Sequence, residues 1–268
     1  MIATIAYGLC TAALAVSHIS GQPASATTCP YMVAEVAWPS FNASVRPGDR
    51  PVHIEWVVDW SHSYPALGSA LEAATGVCRA LRPGDRLTVR RITDRSYSSS
   101  AVLVDVRLPE VTGGRFRSPA RAARERSAAD SVEAAHRQAC EALAQSAHLP
   151  RTSRTDITGS LAAAAASFRQ DDDGTQRVLV ISTDGEETER AGNVQLTLGG
   201  VAVRFVAVES RLGPLERLER RLEAWSEVLR AAGVTDVQVL PPGARLDLDA
   251  LRTAARPPAQ SAGAAGGR

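Results

Sequence analysis

The sequence predicts an α/β fold: a doubly wound, mostly parallel sheet with helices on both faces and one antiparallel edge strand. Three observations predict it. Aromatic residues are 4% of the 268 residues, whereas 44% are hydrophobic. The core must therefore be Val, Leu, Ile and Ala, which suits a helix-covered sheet better than an aromatic-rich sandwich. The apolar β-type runs are nearly continuous, as strands buried on both faces require. These runs alternate with helically spaced segments in the order β-α-β-β-α-α-β-β-α-β-α.

Each element has its own signal. Val52 to Val58 (V-H-I-E-W-V-V) is a β-rich run that ends at Asp59. From Ala66 to Leu81, apolar residues at Leu67, Leu71, Ala74, Val77, Cys78 and Leu81 follow helical spacing. Arg82-Pro83-Gly84-Asp85-Arg86 reads as a turn, followed by a strand from Leu87 to Ile92. Ala101 to Leu108 is near enough in sequence to pair with that strand antiparallel. Ser118-Pro119 caps and starts an Ala-rich helix running to about Ser146. A loop from His148 to Asp156 leads into a small-residue helix, Gly159 to Phe168. Asp171-Asp172-Asp173-Gly174 reads as a turn, since it lacks EF-hand spacing.

Val178 to Ser182 is an apolar strand ending at Thr183-Asp184-Gly185, and Val201 to Val208 is another. Leu215, Leu218, Leu222, Trp225 and Leu229 make Pro214 to Ala232 an amphipathic helix. Val237 to Leu240 and Leu248 to Ala255 are a last strand and helix. R-P-G-D-R occurs at Arg46–Arg50 and again at Arg82–Arg86. It reads as repeated turn chemistry, not as a duplicated domain.

Charge excludes several function classes. Lys plus Arg is 30 against 29 for Asp plus Glu, and all of the basic residues are Arg. Without Lys, a P-loop, a Schiff-base enzyme and a haloacid-dehalogenase-like phosphatase cannot be built in their usual forms. A net charge of +1 argues against a dedicated nucleic-acid binder. An Arg- and Ala-rich chain without Lys has the composition expected of GC-rich coding.

The ends divide the chain further. Residues 1–26 read as a signal peptide: Ile2 to Val16 is mostly apolar, and Pro23-Ala24-Ser25-Ala26 offers a small-residue cleavage site. The n-region is atypical in carrying no positive side chain, and a retained anchor is the competing reading. Residues 27–50 form an N-terminal extension, 51–255 the domain, and 256–268 a Pro-, Ala- and Gly-rich tail read as disordered. The expected location is secreted, periplasmic or cell envelope. Cleavage would leave Cys29, Cys78 and Cys140, enough for one disulfide whose pairing stays open. Neither C-x-x-C nor H-E-x-x-H occurs, so no zinc site is indicated.

The chemistry is sought at the carboxyl ends of the strands, where open α/β sheets bind ligands. The first main strand exits through Asp59-Trp60-Ser61-His62-Ser63. The strand ending at Ser182 exits through Thr183-Asp184-Gly185-Glu186. Between them, Arg154-Thr155-Asp156-Ile157-Thr158-Gly159 brings hydroxyls to a helix start. These donors are carboxylates and hydroxyls, which select Mg²⁺, Mn²⁺ or Ca²⁺. They under-fill an octahedron, leaving room for water and one outside ligand.

In that order and context, these residues resemble the von Willebrand factor type A domain and its metal-ion-dependent adhesion site. The resemblance covers roughly Val52 to Ala255. It implies Asp59, Ser61, Ser63, Thr155 and Asp184 as the metal-site residues. Thr155 is preferred to Thr158 because Leu161 supplies the aliphatic residue that the family places six positions after its Thr. The resemblance also implies a protein partner whose acidic side chain completes the metal shell. It involves no nucleic acid, and a membrane only if the N-terminal segment is retained. Trp60 and His62 depart from the small residues usual between the metal-site positions. Their bulk either restricts the incoming ligand or joins the recognition surface. With the Ser-rich stretch Ser96 to Ser100, the chain is similar to a group of bacterial type A domain proteins of undefined role.

The reading is therefore a divalent-metal-dependent binding module, not an enzyme. The alternatives are a scaffold with a vestigial metal site and a metal-dependent hydrolase. Glu186 and Glu187 either tune the metal or form a solvated loop. Asp156 is either a partner of the site or a helix cap. Arg115, Arg117, Arg121, Arg124 and Arg126 read as a solvated helix face. His53, His136 and His148 stand alone in sequence, with core or surface roles favoured. Asn42-Ala43-Ser44 is a glycosylation sequon whose use is not expected.

Overall fold

Every residue of the strand Val52–Asp59 is buried, which explains why its sequence does not alternate. A strand in the middle of a parallel sheet has helices on both faces and no wet side. The computed structural model describes residues 33–34, 50–109, 118–171, 174–189, 194–211, 214–241 and 243–253. In chain order the elements are β1 (Val33–Ala34), β2 (Val52–Asp59), α1 (Leu67–Arg79), β3 (Arg86–Ile92), β4 (Val102–Arg107), α2 (Pro119–Gln145) and α3 (Ile157–Phe168). They continue with β5 (Gln176–Ser182), β6 (Val201–Phe205), α4 (Leu215–Ala231), β7 (Asp236–Val239) and α5 (Leu248–Thr253).

The strands form one sheet in the order β1-β4-β3-β2-β5-β6-β7. All pairings are parallel except β3 with β4. β4 is the outermost full-length strand on its side, and the two-residue β1 pairs outside it. The expected mostly parallel, doubly wound fold is what the chain adopts. From β2 the chain winds outward through β3 and β4, then returns to β5 on the other side and winds outward to β7. The gap between the carboxyl ends of β2 and β5 is thus the point where the winding reverses, the place where such sheets bind ligands.

The two faces hold separate cores. Ile54, Trp56 and Val58 of β2 pack with Leu67, Leu71, Leu143 and Leu248, which brings α1, α2 and α5 to one face. Val57 packs on the other face with Ile157, Leu161 and Phe168 of α3 and Leu218, Leu222 and Leu229 of α4. The second R-P-G-D-R has a concrete role. Buried Asp85 accepts from the Val52 amide at 3.0 Å and from the Arg82 amide at 2.8 Å, and pairs with Arg252 of α5. The turn therefore secures the start of β2 and the last helix together.

One strand ends sooner than its sequence suggests. β6 stops at Phe205 rather than Val208, because Ala207 takes a left-handed conformation (φ 52°) that cannot continue a strand. The buried Tyr64 hydroxyl donates to the Ala207 carbonyl at 2.6 Å. Residues 1–26, Cys29, the sequon at 42–44, Asp172, Asp173, Arg115, Arg117 and the tail 256–268 lie outside the described residues. Among the described residues, no helix is long and apolar enough to cross a membrane.

Candidate metal centre

Register brings the two strand exits level. Val58 pairs with Ser182, so Asp59 and Thr183 emerge side by side. Asp59 is fully buried, and its two carboxylate oxygens face different partners. Oδ1 accepts from the Ser61 amide at 2.8 Å, and Oδ2 accepts from the Thr183 hydroxyl at 2.8 Å. Thr183 in turn accepts from the Gly185 amide at 3.0 Å. Ser61 and Ser63 hydroxyls lie 2.9 Å apart, so the D-x-S-x-S spacing does place both hydroxyls together. Ser61 is buried, whereas Ser63 is half-buried.

Asp184 comes from the second exit and is also fully buried. Its Oδ1 accepts from the Glu186 amide at 3.0 Å, but its Oδ2 has no hydrogen-bond partner. Burial pushes the Asp59 carboxyl above its ordinary value, and the charge of Asp184 pushes the same way. Hydrogen bonds from Ser61 and Thr183 oppose both. Two buried carboxylates that raise each other's cost, one with an unsatisfied oxygen, form a centre that a cation would complete.

Thr155 is buried in the loop before α3. Its amide donates to the Thr188 hydroxyl at 2.8 Å, and its carbonyl accepts from the Thr188 and Glu189 amides at 3.0 and 3.1 Å. The Thr155 segment is therefore strapped to the loop that carries Asp184. Asp156 caps α3, accepting from the Gly159 amide at 2.7 Å. Glu187 and Glu186 are half-buried and engaged. Glu187 accepts from the Thr158 amide at 2.7 Å, and Glu186 lies 3.6 Å from Arg221.

The two bulky residues of the first exit go separate ways. Trp60 is fully buried, its indole N–H donates to the Leu149 carbonyl at 3.4 Å, and Arg91 lies over its ring. It neither restricts a ligand nor offers a recognition surface, because it serves the core. His62 is exposed, and its amide donates to the Thr152 carbonyl at 3.0 Å.

Two contributors are absent from the sequence-based expectation. Thr183 supports Asp59, and its place just before Asp184 was the available signal. Arg151 donates to the Ser61 and Tyr64 carbonyls at 2.7 Å each, clamping the first exit loop. An Arg inside a loop gives no such signal in sequence.

No family model matches the chain, and no curated protein matches it. Solved structures do. The pilus adhesin SpaC of Lactobacillus rhamnosus GG is similar at 13% identity and TM-score 0.41, over 80% of this chain and 29% of the adhesin. A structure named von Willebrand factor type A, from Catenulispora acidiphila, is similar at 14% identity and TM-score 0.43, over 76% of this chain and 40% of that one. The manganese-loaded TRAP protein of Plasmodium vivax is similar at 13% identity and TM-score 0.33, over 64% of this chain and 61% of that one. This chain thus spans less than two thirds of each. The likeness is one of fold, and the second name is that of the family the sequence motifs resemble.

Proposed function

We propose that the chain is a binding module of the von Willebrand factor type A kind, holding a divalent cation to capture an acidic side chain of a partner protein. Asp59, Ser61, Ser63, Thr155 and Asp184 would hold the ion. The observation that carries this reading is the buried, unpartnered Oδ2 of Asp184 beside the buried carboxylate of Asp59. Mg²⁺ or Mn²⁺ suits hydroxyl and carboxylate donors, with Ca²⁺ the larger alternative. Bound there, the ion would supply a positive centre with a position left for an outside carboxylate.

The role is binding rather than catalysis. The five donors are two carboxylates and three hydroxyls; with the ion in place both carboxylates would be engaged by it, which leaves no general base positioned among the five. An oxidising compartment belongs to the same reading. It is supported by the disulfide between Cys78 and Cys140, which persists outside the reducing cytosol.

Titration calorimetry with Mg²⁺ and Mn²⁺ tests the centre. Heat with one-site stoichiometry in the wild type, abolished in Asp59→Ala, is expected. Absence of heat with either ion would leave a scaffold with a vestigial site as the better account. Partner capture should then depend on Mg²⁺ and vanish in Asp59→Ala. Capture that persists in EDTA would overturn the metal bridge.

A further inference from the structure

A second group of metal-ligating side chains lies away from the strand exits. Cys78 stands in the last turn of α1, and His136 and Cys140 stand four residues apart on α2. That spacing puts His136 and Cys140 on one face of the helix. One ligand atom from each of the three residues lies within 4.8 Å of the others. The two sulfurs form a disulfide joining residues 62 apart in sequence. No contiguous zinc motif marks the group in sequence, because its ligands are split between two helices.

The geometry points to a redox-gated site: reduction of Cys78–Cys140 opens a Cys₂His site for Zn²⁺ bridging α1 and α2. Three features favour that cation over an empty dithiol. His136 Nε2 lies 2.7 Å from the Cys78 carbonyl oxygen, which can only accept, so Nε2 carries a proton, and in the neutral ring that a metal requires Nδ1 is the nitrogen with the lone pair. Metal-ligating histidines are held in this way, with the other ring N–H on a carbonyl. Thiolate and imidazole are ligands that select zinc over the hard cations expected at Asp59 and Asp184. Charge also closes. Two thiolates balance a divalent ion, so a neutral unit replaces a neutral disulfide where Cys78 is 0% and Cys140 is 2% exposed. His136 is half-buried.

The reaction balances with an external dithiol as reductant. The dithiol gives two electrons and two protons to the Cys78–Cys140 bond and becomes a disulfide. Zn²⁺ then displaces the two thiol protons. A water molecule completes four-coordination. Disulfide and zinc are mutually exclusive because both use the same two sulfurs, and either one links α1 to α2. Before oxidation, the metal would therefore hold the same helix pair that the disulfide holds afterwards.

Cobalt is the probe, because thiolate-to-cobalt charge transfer reports sulfur ligands and is silent at an oxygen-only centre. The variant to be tested has Cys10→Ser and Cys29→Ser, so that Cys78 and Cys140 are its only cysteines. The reduced form should develop the band with one equivalent of Co²⁺ and lose it on adding Zn²⁺. The oxidised form should show none. His136→Ala, which keeps both thiols, should weaken Co²⁺ binding about tenfold or more, and Cys140→Ser should abolish the band. One equivalent of Zn²⁺ should also raise the melting temperature of the reduced protein. Equal Co²⁺ affinity in His136→Ala, or no thermal gain with Zn²⁺, would overturn the site, including where reduction itself loosens the fold.

Discussion

At the scale of single residues, the same substitution should have opposite signs at two glycines. A Cβ on Gly159 would lie 2.0 Å from Asp156 Oδ2 and 2.6 Å from its Cγ. Gly159→Ala therefore evicts the carboxylate that caps α3 and should cost about 1–2 kcal/mol. Gly76 is exposed in the middle of α1, and a methyl group there would meet nothing within 4 Å. Gly76→Ala should stabilise by about 0.5–1 kcal/mol. Urea midpoints of the two variants check both signs. His53 gives a pH-dependent case. It is buried on β2, with Nδ1 2.7 Å from Asp171 and Nε2 3.4 Å from the buried Glu55. Burial lowers its pKa, but hydrogen bonds and charge from Asp171 and Glu55 outweigh that, so the folded value lies above 6.5. The protonated form is favoured by folding. Its contribution is complete below the unfolded value and is lost as pH rises through the folded one. Stability should therefore fall as pH rises from the unfolded value of 6.5 through the higher folded one, and His53→Gln should flatten that slope; an unchanged slope would locate the titration elsewhere. Asp59, Ser61, Ser63 and Asp184 of the candidate centre were legible because D-x-S-x-S and T-D-G each follow an apolar strand. The His53 cluster was not, because Asp171 is 118 residues away and only the fold brings it near.

At the scale of elements, helical spacing and apolar runs place the helices and strands within a few residues of where they lie. The exceptions have local causes. β6 is cut short at Ala207, and β1 is two residues that no periodicity can mark. The long helix α2 is the element whose attachment was least legible. Among its residues with described side chains, only Glu125, Ala139, Cys140 and Leu143 are buried. Its grip on the domain is therefore concentrated near its carboxyl end, where Cys140 meets Cys78. Spacing alone could not pair those cysteines, since the partner depends on which helices pack. Replacing both with Ala should cost about 2–4 kcal/mol, as expected for opening a loop of this length. That corresponds to a melting temperature lower by roughly 5–15 °C. Hydrogen exchange should locate the loss. Amides of residues 139–145 should lose protection on reduction, whereas those of residues 122–131 should already exchange quickly. Equal protection along the whole helix in the oxidised protein would contradict this attachment.

At the scale of the whole molecule, the candidate centre joins segments far apart in sequence: the exit of β2, the loop before α3 and the exit of β5. Parallel strand order made that convergence predictable, since it follows from where the winding reverses. The straps between loops, such as Thr155 to Thr188, are irregular contacts that no pattern encodes. An ion held there must be released when the sheet unfolds, so binding should raise global stability by mass action. At one hundred times the dissociation constant the gain is about 2.7 kcal/mol. For a domain of this size that is a rise of roughly 5–10 °C in melting temperature. Asp184→Asn makes the prediction specific. The Asn amide oxygen can still accept from the Glu186 amide, while the negative charge beside Asp59 is gone. In EDTA the variant should melt at or above the wild type, because buried like charges no longer oppose each other. In saturating Mg²⁺ the order should reverse, because only the wild type gains from the ion. The two melting curves plotted against Mg²⁺ concentration should therefore cross. A variant that melts lower by the same margin in both conditions would mean that Asp184 supports the loop alone and that no cation is held there.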